Sequence, residues 1–104
     1  MHWYDYLAWF FGGAFLANTI PHLVSGISGR AFHSPFAKPP GKGLSSSTVN
    51  VLWGFVNFVV AYLLVEHVGS FDFHNTAEVL TLAAGFLALS LMLASTFARY
   101  QSGR

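Results

Sequence analysis

The sequence predicts an all-α integral membrane protein with three transmembrane helices, and three observations predict it. Of its 104 residues, 54% are apolar and only 9% are charged, against about a quarter charged in water-soluble domains. Three runs, at about 3–24, 49–68 and 76–100, are long and apolar enough to cross a hydrocarbon core of about 30 Å, which takes about 20 helical residues. The charges are also segregated between the two loops, and that segregation carries the topology. The chain reads as a single transmembrane domain over 1–104, with a long loop at 25–48 and a short one at 69–75.

The first helix opens on Trp3, Tyr4, Tyr6 and Trp9, the composition of an aromatic belt at a membrane interface. Asp5 stands where a signal peptide would carry Lys or Arg, and the apolar run continues past Ala14 and Ala17. The run is therefore expected to be a retained span. Gly13 and Ala17 form a small-xxx-small pair that admits a close neighbouring helix. Pro21 lacks an amide donor and is expected to kink or end the helix.

Ser45 to Thr48 offer N-caps to the second helix. Asn75 and Glu78 have the spacing of a capping box at the start of the third. Within the third helix, Thr81, Gly85, Ala88, Met92 and Ser95 share a face expected to meet protein, with Leu80, Phe86, Leu87 and Leu91 turned to lipid.

Arg30, Lys38 and Lys42 lie in the long loop, and Arg99 and Arg104 in the C-terminal tail. Asp5, Glu66, Asp72 and Glu78 lie at the N-terminus or around the short loop. With three spans, every cation is on one side and every carboxylate is on the other. The positive-inside rule then places the long loop and the C-terminus in the cytoplasm and the N-terminus outside. A bacterial-type cytoplasmic (inner) membrane, or another cell membrane, fits that multi-pass pattern.

Polar residues inside the spans are the first functional candidates. Asn18 and His22 are four apart on the first helix, and Asn50, Gly54, Asn57 and Ala61 share one face of the second. Asn18 and Asn57 both lie roughly 9–10 Å inside the loop-side helix ends at 1.5 Å per residue. An amide unpaired in hydrocarbon costs several kcal/mol, so the two faces are expected to meet as an antiparallel pair. This cluster of Asn18, His22, Asn50 and Asn57 either glues the helices together or lines a site open to the cytoplasm.

The long loop supplies a second candidate. Gly26, Gly29, Gly41 and Gly43 permit tight turns, while Pro35, Pro39 and Pro40 stiffen the chain. Phe32 and Phe36 imply that part of the loop packs at the interface or on the helices. Arg30, Lys38, Lys42, Ser45 and Ser46 gather near the amino end of the second helix, an arrangement that suits an anionic lipid headgroup. The stretch is not a Walker A loop, because the G-x-x-x-x-G-K-[ST] spacing is absent. Three basic residues are too few for a nucleic-acid footprint.

On the other side, His67, Asp72, His74 and Glu78 are a candidate metal set by ligand type, although their spacing matches no recognised zinc motif. With no Cys, thiolate chemistry is excluded. No nucleophile–base constellation points to an enzyme, and no cofactor signature is legible. The reading that results is a non-enzymatic membrane subunit or scaffold, working as a homo-oligomer or within a larger membrane complex. The alternative is a homo-oligomeric small-solute transporter or channel lined by the intramembrane Asn residues.

Overall fold

The computed structural model describes residues 2–102. Three helices are long and apolar enough to cross a membrane. α1 covers Trp3–Ile27, α2 covers Ser47–Tyr62 and runs on as a π-helical segment over Leu63–Val68, and α3 covers Thr76–Gln101. Between α1 and α2 two short strands, β1 (Phe32–His33) and β2 (Leu44–Ser45), pair antiparallel with Phe32 opposite Ser45 and His33 opposite Leu44. The long loop therefore closes as a small hairpin over the ends of the helices.

α1 is the central element. It packs against α2 and α3, which scarcely touch each other. Burial follows that order: 39% of the apolar window of α1 is enclosed, 22% of that of α2 and 6% of that of α3. Adjacent glycines serve the two neighbours. A Cβ on Gly12 would meet Val65 and the Ala61 carbonyl, whereas one on Gly13 would overlap the Leu82 carbonyl of α3. Small residues let backbones approach where lipid gives no hydrophobic drive between helices.

The interior is built the opposite way from that of a soluble domain. The largest side chains under 2% exposed are Trp9, His33, Asn50, Asn57 and Ser34, and four of these five are polar. Leu52, Phe55, Leu80 and Leu91 are all at least 60% exposed. Hydrocarbon solvates such a surface at no cost, while an unbonded buried polar group is penalised; among the described residues the Trp9 indole N–H is buried without a partner.

Four expectations are corrected. α1 runs through Pro21 and past the expected end at 24 to Ile27, so of the kink or end expected at the proline the end does not occur. The turn beyond the proline is held by its packing, with Leu23 against Gly54 and Gly26 against Ser47 and Val51. The face of α3 toward α1 is rotated from the one expected: Gly85 is buried and Phe86 half-buried, while Ala88, Met92 and Ser95 are exposed. Gly85 sets this register, because a Cβ there would overlap the Phe10 carbonyl. Trp9 is not part of the aromatic belt. It is 1% exposed and packs on Gly69 and Phe71, whereas Trp3, Tyr4 and Tyr6 do face outward.

The fourth correction concerns the end of the second span, which is π-helical rather than α-helical, with the Gly69 amide reaching back to the Leu64 carbonyl at 3.1 Å. A π turn accommodates an extra residue within a helix. Here it seats Val65 on Gly12 and brings Gly69 beneath the Trp9 indole.

Candidate functional site

The buried residues of α2 are Asn50, Gly54, Asn57 and Ala61, the face that the spacing predicts. Antiparallel packing of α1 on α2 places polar side chains in three tiers, ascending toward the hairpin. In the deepest tier, Asn18 Nδ2 donates to Asn57 Oδ1 at 2.9 Å, and Asn57 Nδ2 donates to the Trp53 carbonyl at 2.8 Å.

In the next tier, His22 Nδ1 and Asn50 Oδ1 are 2.8 Å apart. Asn50 Nδ2 lies 3.1–3.2 Å from the carbonyls of Phe32, Ser45 and Ser46, so its hydrogens are committed there. Its oxygen must therefore accept, and His22 Nδ1 carries the proton that it donates. One asparagine thus joins α1, β1, β2 and the start of α2. The His22 ring is walled edge-on by Phe32, Trp53 and Phe97 at centroid distances of 5.6, 6.4 and 6.3 Å.

The uppermost tier is His33, which is fully buried. Its Nδ1 donates to the Lys42 carbonyl at 2.6 Å, which leaves Nε2 to accept from Gln101 Nε2 at 3.2 Å. The ring stacks on Phe97 at 5.3 Å and tilts against Tyr100. This tier clamps the hairpin to the end of α3. Beside it, the Ser34 and Ser45 hydroxyls share a bond of 2.6 Å.

Sequence reasoning missed His33, Phe97 and Gln101. A histidine among Ser, Pro and Gly reads as solvated, and two-residue strands are too short to show alternation. Phe32 gave the available signal, since an aromatic in a polar loop implies packing, and it contacts Phe97 at 4.8 Å. Phe36, by contrast, is 65% exposed and only edges Trp53.

Arg30, Lys38 and Lys42 are exposed on the hairpin. Ser46 caps α2, its Oγ accepting from the Val49 amide at 3.2 Å, while Ser45 is tied to Ser34. The two hydroxyls placed in the anion site are thus engaged within the chain. Positive φ values of 75° at Gly29 and 77° at Gly41 turn the loop where only glycine is unstrained. Because His33 and Gln101 meet, the loop cations lie at the same end of the bundle as Arg99. Arg104 lies outside the described residues.

At the far end, Glu78 is 3% exposed and accepts the Asp72 amide at 2.9 Å, and Asp72 Oδ1 accepts the His74 amide at 2.9 Å. Asn75 caps α3 through the Glu78 amide at 3.2 Å. The return bond of a capping box goes to Asp72 instead of Asn75, which ties the short loop down. His67 is exposed and meets Tyr62 edge-on. Among the described residues, no three His, Asp or Glu side chains converge as a set that could hold a metal.

No family model, curated protein or solved structure matches this chain.

Proposed function

We propose that the protein is a multi-pass membrane subunit or scaffold that presents a rigid basic cap to anionic lipid headgroups at the cytoplasmic surface. The observation that carries this reading is the division of charge along the bundle. Arg30, Lys38, Lys42 and Arg99 belong to the hairpin end, whereas Asp5, Glu66, Asp72 and Glu78 belong to the other. By the positive-inside rule, the hairpin and the C-terminus face the cytoplasm and the N-terminus lies outside.

The cap is rigid because Asn50 and His33 bond it to all three helices, so its cations are displayed rather than trailing on a flexible loop. Each Lys or Arg near an anionic leaflet is worth about 1 kcal/mol. Three of them favour anionic over zwitterionic lipid by about 3 kcal/mol at low salt. The outward apolar flanks of α2 and α3 suit further membrane helices, either of a second copy or of a larger complex.

The test is lipid retention. Protein extracted in mild detergent from mixed anionic and zwitterionic membranes is expected to keep phosphatidylglycerol selectively in native mass spectra. The triple variant Arg30→Gln, Lys38→Gln, Lys42→Gln is expected to lose that preference. Equal retention of both lipids by the unmodified protein would refute the lipid-binding role.

A further inference from the structure

On one side of α1, between α2 and α3, lies a groove of about 350 Å³. Phe11, Phe15 and Asn18 form its floor, with Asn57 on one bank and Leu89 and Met92 on the other. Asn57 donates to the Trp53 carbonyl and accepts from Asn18, and at 1% exposure it presents almost none of its amide to the groove. Asn18 gives one N–H to that bond. Its oxygen and second N–H have no partner among the described residues, although the side chain is half-buried.

That vacancy in hydrogen bonding matters because of depth. Asn18 lies roughly 13–14 Å inside the loop-side end of α1 at Ile27, below the level that phospholipid ester groups reach. Lipid tails offer an amide nothing, and an unpaired polar group there costs several kcal/mol. The groove therefore suits a molecule that carries its hydrogen-bonding group into the hydrocarbon. A volume of about 350 Å³ falls within the range of about 300–1,000 Å³ typical of small-molecule sites, which pair apolar walls with a few placed polar groups. A whole helix, about 10 Å across, does not fit inside it.

We propose that this groove binds a lipid-soluble carbonyl compound of the quinone kind, a flat ring on an apolar tail. The free Asn18 N–H donates to a ring carbonyl, the Asn18 oxygen accepts a ring O–H in the quinol form, Phe15 and Met92 flank the head, and the tail runs past Leu89 toward Phe11. The inference rests on the membrane-embedded reading but not on the basic cap.

The test uses the full chain in nanodiscs of zwitterionic lipid, titrated with decylubiquinone and read by tryptophan quenching, since Trp53 lies one helical turn from Asn57, whose amide its backbone carbonyl accepts. Saturable quenching is expected. Asn18→Leu, and Ala14→Phe, which fills the groove and leaves the Asn18–Asn57 bond in place, should each weaken binding about tenfold or more. Quenching that rises linearly and equally in all three proteins would overturn the proposal. So would a Met92→Cys disulfide dimer that forms in membranes and is unaffected by the quinone, because a second copy would then own the groove. Resistance to carbonate extraction, measured in parallel, shows whether the membrane reading survives such a failure.

Discussion

Asn50 makes four contacts that nothing else in the chain can replace, and its value is that of a hub. Leucine at this position leaves His22 Nδ1 buried without a partner, at a cost of about 1–3 kcal/mol, and removes the bonds that tie the Phe32, Ser45 and Ser46 carbonyls to the Asn50 side chain. Asn50→Leu is therefore expected to destabilise the protein by about 3 kcal/mol, read as a lowered midpoint in thermal unfolding in detergent. It should also release the hairpin, so that trypsin cuts after the exposed Lys42 faster than in the unmodified protein. Asn57→Leu removes a bond of the kind worth about 0.6 kcal/mol on average within a bilayer and should leave the hairpin resistant. Equal sensitivity of the two variants to trypsin would mean that Asn50 does not hold the cap. Of these residues, Asn18, His22, Asn50 and Asn57 were legible in the sequence, because amides at spacings of four and seven on apolar helices must find each other. His33 was not, because its burial depends on a hairpin closing over α3, a contact between residues 68 positions apart.

At the scale of the elements, the two interfaces of α1 were unequally legible. The α2 side announced itself through polar residues at helical spacing. The α3 side carries no polar signal, and a stripe of small residues proved a poor guide, since Ala88 and Ser95 point away while Gly85 meets the α1 backbone at Phe10. The corrected register makes a direct prediction. Gly85→Val forces a side chain onto the Phe10 carbonyl and should cost about 1–3 kcal/mol, the usual penalty of overpacking. Ala88→Leu, on an exposed face, should change stability by less than about 0.5 kcal/mol. Chemical denaturation of the two variants in the same detergent checks both, and the reverse ranking would restore the face expected from sequence. The π-helical segment and the burial of Trp9 had no local signature, because both follow from fitting Gly69 and Phe71 against α1.

For the whole molecule, the sequence composition already implied three apolar helices, and the structure adds that their polar contacts are concentrated at one end. The charged ends, the inward amides and the outward Leu and Phe side chains belong to a bundle of three helices long and apolar enough to cross a membrane. The absence of Cys makes a clean topology measurement possible. Lys42→Cys and Asp72→Cys replace exposed residues at opposite ends of the bundle, and each gives the chain a single thiol for a membrane-impermeant maleimide applied to intact cells. With the hairpin in the cytoplasm, Asp72→Cys is expected to be labelled at once and Lys42→Cys only after the membrane is permeabilised. Labelling of Lys42→Cys in intact cells, with Asp72→Cys protected, would contradict that orientation.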